Sequence, residues 1–333
     1  MRKSFFLLLL IITLINGCQN NPSKYFYNQG FVYGTLYNIV YESPEGKDYQ
    51  EEITEKFREY TLIFSTYEKE STISKINNNI PVKPEKEFMI CYNRAMEISE
   101  ITNGAFDITA GPMVNAWGFG PEKKRHMSQD KVDSLIEITG YRKIQVENGM
   151  IVKNNPNMKL DMSAISKGYT CDLIAGFLAD NGCPNYMVEI GGEVVAKGKN
   201  ENGNIWSIGI SKPVEDIVAS NSELEAIIKL PDHALATSGN YRNFYVEDGK
   251  KYAHTIDPKT GYPVQHSLLS ATVLADNCMT ADAFATAFMV IGLDSGIELA
   301  RTTQGIEVFF IYADNYGNDQ IYMSDGFGQY VKE

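Results

Sequence analysis

Apolar positions recur at helical spacing in several stretches of the chain. Over 48–64 they fall at Ile53, Phe57, Tyr60 and Phe64, three to four residues apart, which predicts an amphipathic helix. A second helix is predicted over 84–102, where Asn103-Gly104 supplies a stop signal, and a third over 130–138, closed by Gly140. Residues 166–180 read as a helix ending at Asn181-Gly182, 280–291 as one ending at Gly292, and 294–303 as another. Between these lie stretches rich in β-branched and aromatic residues. The first strand is predicted over 31–41, and strands at 143–146 and 150–153 flank Asn148-Gly149, a tight-hairpin signature. Further strands are predicted at 185–190, 205–210, 224–230, 242–247, 267–275, 306–312 and 320–323. Strands come in runs, not in strict alternation with helices. The pattern therefore predicts an α+β body of mixed sheets flanked by helices, not a doubly wound parallel sheet.

The N-terminus departs from this pattern. Arg2 and Lys3 precede an apolar run from Phe5 to Ile15, broken only by Thr13. Its 11 residues fall short of the roughly 20 that span a bilayer and match a signal-peptide core. The following Leu14-Ile15-Asn16-Gly17-Cys18 resembles a bacterial lipobox, in which the Cys is lipid-modified and becomes the mature N-terminus. An ordinary signal peptide with an incidental Cys is the alternative. The expected organisation is a leader over 1–17, a lipidated N-terminus and tether over 18–28, and one catalytic body over 29–333. Cys18 would then anchor that body to a bacterial membrane, facing the periplasm or another extracytoplasmic space.

Composition narrows the function. With 333 residues, 44% apolar and 22% charged, the chain is an ordinary folded protein with a full core. Its net charge is −12, and loss of Arg2 and Lys3 with the leader leaves 28 basic against 42 acidic residues, or −14. Such a field repels nucleic-acid backbones and argues against DNA or RNA as the main partner. Cys91, Cys171, Cys183 and Cys278 show no C-x-x-C spacing, and no His or Cys cluster has zinc-ligand spacing. Scattered cysteines of this kind are expected reduced in a core; a Cys171–Cys183 bridge is the one pairing left open.

Several segments carry candidate chemistry. His254-Thr-Ile-Asp257-Pro258-Lys-Thr260-Gly261 is good turn chemistry, since Pro fixes φ and Gly takes conformations others avoid. A hairpin loop accounts for all of it except His254, one of only four histidines, which at a loop mouth acts as a base or a phosphate donor. Asp161-Met-Ser-Ala164-Ile-Ser-Lys167-Gly168 leads from a strand end into a helix. Free amides and the Lys167 charge there suit a phosphate, although Asp161 as a cap and Lys167 as a solvated charge is the plainer reading. Asp282 and Thr286 stand four apart on one helix face and offer oxygens to Mg²⁺, or serve as a cap and a back-bonded Thr. Ile190-Gly191-Gly192-Glu193 and Thr237-Ser238-Gly239-Asn240-Tyr241-Arg242 mark turns where backbone approaches a ligand closely. Ala105-Phe106-Asp107 and Trp117-Gly-Phe-Gly-Pro121 offer aromatic and polar walls, with Trp117 and Phe119 equally suited to a core.

Taken in chain order, these segments resemble the ApbE family, the FAD:protein FMN transferases. The landmarks are Gly34-Thr35, Ser65-Thr66-Tyr67 with Ser71 and Asn77, Gly104 to Pro112, and Trp117 to Gly120. They continue through Asp161 to Asp172, Gly191-Gly192, Thr237-Ser238-Gly239 with Tyr241-Arg242, His254 to Gly261, and Ala281 to Thr286, so that the resemblance covers residues 31–325. It implies an ApbE-type, T-fold-like body and a Mg²⁺-dependent transferase. FAD is split, FMN is joined through a phosphoester to a Thr or Ser hydroxyl of an acceptor protein, and AMP leaves. Acceptors in the family are typically subunits of membrane redox complexes, so the resemblance implies an acceptor of that kind. Position by position, it implies that Ala164 (through its carbonyl oxygen), Asp282 and Thr286 hold the metal. Tyr33, Tyr67, Ala105, Phe106, Asp107, Asp161, Lys167 and His254 would line the FAD site. Tyr33 departs from the family pattern, in which Met often precedes Gly-Thr.

The chemistry of the residues agrees with that assignment. Pyrophosphate cleavage requires neutralisation of the non-bridging oxygens, which Mg²⁺ and Lys167 would supply. The attacking hydroxyl requires a proton acceptor, for which His254 is the expected base; Asp257 either orients that imidazole or caps the loop. Two other activities share these groups: FAD hydrolysis to FMN and AMP, and FAD binding without turnover.

Overall fold

The computed structural model describes residues 23–120, 127–213, 223–240, 244–247 and 250–332. The expected leader, Cys18, Pro121, Tyr241 and Arg242 lie outside the described residues. An eight-stranded antiparallel sheet organises the chain, in the order β1 (Lys24–Val32), β2 (Thr35–Ser43), β5 (Tyr186–Ile190), β6 (Glu193–Lys197), β9 (Ala234–Gly239), β12 (Leu268–Ala275), β13 (Ile306–Ala313) and β14 (Asp319–Met323). Three hairpins stand apart from it: β3 (Ile144–Glu147) with β4 (Met150–Lys153), β7 (Trp206–Ser211) with β8 (Leu224–Leu230), and β10 (Phe244–Glu247) with β11 (Lys250–Ala253). The helices are α1 (Gln50–Phe64), α2 (Thr72–Asn77), α3 (Lys86–Ile101), α4 (Gly111–Ala116), α5 (Gln129–Glu137), α6 (Ser163–Asp180), α7 (Cys278–Ile291) and α8 (Leu293–Thr302). This is the expected α+β organisation, with strands in antiparallel runs and helices flanking the sheet. Among the described residues no helix is long and apolar enough to cross a membrane.

The period of two along the central strands divides the apolar residues between two cores. Ala271, Val273 and Ala275 of β12 and Val308 and Phe310 of β13 face the helical layer, where β12 meets α7 and β13 meets α8. Leu274, Phe309 and Ile311 point the other way, beneath Trp206, Ile210, Ile228 and Leu230 of the β7–β8 hairpin and Phe327. The sheet is thus covered on both faces, with the helices confined to one. Helix α7 is buried nearly all round, so its sequence is almost continuously apolar. It crosses α6 at Gly168, where an added Cβ would lie 2.3 Å from the Cys278 carbonyl oxygen and 2.8 Å from Asp282 Cβ. A glycine is required for the two helices to approach this closely.

Three differences from the sequence pattern bear on the site. The single strand expected over 31–41 is a hairpin that turns at Tyr33 (φ 52°) and Gly34 (φ 77°). Residues 24–28, expected to be tether, pair with β2 from Lys24–Ser43 onward and so belong to the sheet. Thr237-Ser238-Gly239, expected as a turn, closes a central strand, paired with Thr272, Ala271 and Ser270. The four cysteines Cys91, Cys171, Cys183 and Cys278 are free and buried, so Cys171 and Cys183 are not bridged.

Candidate active site

Two helices build one wall of the site, and a carboxylate of the first fixes the second. Asp172 of α6 accepts the Cys278 and Met279 amides, each at 2.8 Å, and caps the N-terminus of α7 together with the Asn277 side chain. That docking sets the register in which the Gly168 amide donates to Asp282 Oδ2 at 3.0 Å. One turn further along α7, Thr286 Oγ1 lies 3.4 Å from Ser238 Oγ at the end of β9. Ala164 and Lys167, in the first turns of α6, border the same space.

The opposite wall is made of two loops. In the first, Thr102 Oγ1 accepts the Phe106 amide at 3.1 Å, and Asp107 accepts the Thr109 hydroxyl at 2.6 Å and amide at 2.8 Å on one oxygen and the Tyr141 amide at 2.8 Å on the other. Burial raises the Asp107 pKa above the usual carboxylate value despite those donors. The second loop carries His254. Its turn closes through Gly261 N–H to Asp257 O at 2.8 Å, and Asp257 Oδ1 accepts the Lys259 amide at 2.9 Å. From behind, the Trp117 indole N–H donates to the Gly261 carbonyl at 2.8 Å. Between the walls lies a cavity of about 470 Å³.

Of the residues expected at the site, Ala105, Phe106, Asp107, Asp161, Ala164, Lys167, His254, Asp282 and Thr286 line this one cavity. Asp161 sits at its edge, with its amide on Ile108 O at 2.7 Å and Oδ1 accepting the Ser163 amide at 2.8 Å. Three expected residues lie outside the lining. The Tyr33 hydroxyl donates to the Phe57 carbonyl at 3.3 Å, and its ring meets the Phe57 ring edge-on, which turns Tyr33 onto α1. Tyr67 is 74% exposed. Asp257 spends its carboxylate on the loop, as the cap that the turn chemistry allows. Trp117 belongs to a small core with Met113, Leu135 and Ile256 and serves as the latch of the His254 loop.

Glu193, which the sequence marks only as the end of the Gly191-Gly192 turn, is the first residue of β6 and 4% exposed. Its Oε1 accepts from the Lys167 ammonium, and its Oε2 has no hydrogen-bond partner. The only sequence signal was a carboxylate directly after Gly191-Gly192. Burial would lower the Lys167 pKa, but the Glu193 and Asp282 carboxylates outweigh it and raise that pKa above the ordinary lysine value. Burial pushes the Glu193 pKa up to about 7, with Lys167 opposing and Asp282 reinforcing the rise. Asp282 is raised in the same direction by burial, against Lys167 and the Gly168 amide.

Among the described residues no three His, Cys, Asp or Glu side chains group as a metal cluster. The residues that share the cavity offer donors of another kind: Asp282 a carboxylate, Thr286 a hydroxyl and Ala164, whose side chain has none, only its backbone carbonyl. All are hard oxygens. With Glu193 alongside, two buried carboxylates face the one half-buried ammonium of Lys167, and one carboxylate oxygen is orphaned. This donor set and charge fit a divalent cation such as Mg²⁺.

Residues 33–310 match the ApbE family. The chain is 36% identical over 338 residues to the FAD:protein FMN transferase of Vibrio cholerae, covering 99% of this chain and 97% of that one. It is 38% identical over 302 residues to the FAD:protein FMN transferase of Haemophilus influenzae, covering 86% of each. The solved structure of the flavin transferase ApbE from Vibrio cholerae superposes with a TM-score of 0.83 at 37% identity, covering 93% of this chain and all of that one.

Proposed function

This chain belongs to the ApbE family, and from that membership we propose that it transfers FMN from FAD to a Thr or Ser hydroxyl of an acceptor protein. A single observation carries the reading. Lys167, Asp282, Thr286 and Ala164 line one cavity together with His254 and Phe106, although the α6 and α7 residues come from stretches over a hundred residues apart. The same site suits both halves of the task, since one wall gathers charge and the other offers a base.

The acceptor hydroxyl attacks the FMN phosphorus of bound FAD. A P–O bond forms to the acceptor, the pyrophosphate P–O bond breaks, and AMP leaves with that electron pair. His254 takes the hydroxyl proton. Lys167 binds the phosphate oxygens, held in place by Glu193. Phe106 supplies an apolar wall that excludes water beside the reacting groups. Ala164, Asp282 and Thr286 would hold Mg²⁺, which neutralises charge on the pyrophosphate when bound.

The acceptor belongs to a membrane redox complex in this reading, and the transferase reaches it from a lipid anchor at Cys18. The basic, apolar and Cys18-bearing segments of the N-terminus support that placement. Mass spectrometry of such an acceptor after incubation with this protein, FAD and Mg²⁺ tests the reaction. The expected result is a gain of one FMN less water, lost on adding chelator. Free FMN and AMP with an unmodified acceptor would mean hydrolysis, and FAD recovered intact would mean binding alone.

A further inference from the structure

Lys167 has two anionic neighbours on the cavity wall, Glu193 and Asp282. Its ion pair is with Glu193, while Asp282 receives the Gly168 amide instead. A buried ion pair contributes no more to stability, on average, than apolar residues of the same volume. This one is also incompletely satisfied, since Glu193 Oε2 is buried without a partner. Packing alone therefore gives no reason for a carboxylate at the start of β6. What the pair does decide is where the ammonium sits.

We propose that Glu193 is a positioning residue that draws the Lys167 ammonium away from Asp282, keeping the Asp282 carboxylate open to a divalent cation. The proposal rests on the reading of Asp282 as a cation ligand. Without the Glu193 charge, Asp282 is the remaining carboxylate beside the ammonium. The two neutralise each other, and an incoming cation has to displace Lys167 before it can bind. The Gly191-Gly192 turn, with φ of 65° and 103°, brings β6 back beneath α6 so that its first side chain meets Lys167.

Direct binding of Mn²⁺ to the full chain without FAD, followed by electron paramagnetic resonance, tests this, with thermal melting as the check on folding. Wild type and Asp282→Ala come first. Binding by the wild type and its loss in Asp282→Ala establish the ligand; equal binding by both, or none by the wild type, ends the Asp282 reading and this proposal with it. Given the ligand, Glu193→Gln should weaken Mn²⁺ binding by about 10–100-fold, the range for groups that support a metal ligand without touching the metal. Adding Lys167→Met should abolish that loss, so that Lys167→Met binds Mn²⁺ equally with Glu193 or Gln beside it. Unchanged binding in Glu193→Gln, or the same loss with Lys167 present or replaced, would overturn the assignment. Should Glu193→Gln not fold, Glu193→Asp takes its place, with a smaller loss that again depends on Lys167.

Discussion

His254 and Lys167 enter the cavity in different ways, and the difference governs what replacing each would do. His254 stands on a loop whose conformation is held by other residues: the Asp257 carboxylate, the Gly261 carbonyl and the Trp117 indole. Replacing His254 with Ala should leave that loop folded and FAD bound. Single-turnover transfer should nevertheless slow by roughly 10²–10⁴, the usual effect of losing a general base. Transfer at the wild-type rate would remove His254 from the chemistry. Lys167 and Glu193, by contrast, hold each other. Lys167 was legible because a basic residue early in a helix that follows Asp161 suits an anion. Glu193 was not legible, because a carboxylate is buried by its partner, and the partner lies in α6, 26 residues earlier. Tyr33 and Tyr67 illustrate the converse. Their types suit a flavin or adenine, yet Tyr33 packs on Phe57 of α1 and Tyr67 stands in solvent.

The junction of α6 and α7 determines whether the ligand-bearing face of α7 points into the cavity. Gly168→Ala inserts a methyl group 2.3 Å from the Cys278 carbonyl, so one helix has to move. The expected cost is about 1–3 kcal/mol of stability, read as a lower midpoint in denaturant. Asp172 adds a pH dependence to the same junction. Burial raises its pKa to about 7 even though it accepts two amides. The folded chain therefore binds a proton there more tightly than the unfolded chain, and this contribution to stability falls as pH rises from about 4 to about 7. Asp172→Asn should lessen the fall of the melting temperature across that window, measured with chelator present, leaving the part due to Glu193, Asp282 and Asp107, and lower it overall through one lost cap hydrogen bond. An unchanged slope would mean that Asp172 does not titrate there. Helices α1 and α3 were legible from their apolar spacing, and the β3–β4 hairpin from Asn148-Gly149, both of which take the positive φ that its turn needs. The β1–β2 turn has the same geometry at Tyr33-Gly34, and an aromatic first residue inside an apolar run conceals it. Strand β9 was hidden because its small and hydroxylated residues are chosen by α7 above it and the cavity at its end, not by the pleat.

At the scale of the whole molecule, the expected anchor and the cavity belong to different parts of the chain. Cys18→Ser in the full-length precursor, expressed in a bacterium, should shift the protein from the detergent-soluble membrane fraction to the soluble extracytoplasmic fraction, with transfer activity retained on a soluble acceptor. Membrane retention equal to wild type would show that Cys18 carries no anchor. The cavity itself draws on residues from Ala105 to Val290 and on strands, helices and loops of both halves. A pocket whose walls are that far apart along the polypeptide does not exist until the last of them has docked. A chain threaded through a translocation channel in extended form would consequently arrive empty, and the cell would have to deliver its dinucleotide to the compartment where folding is completed.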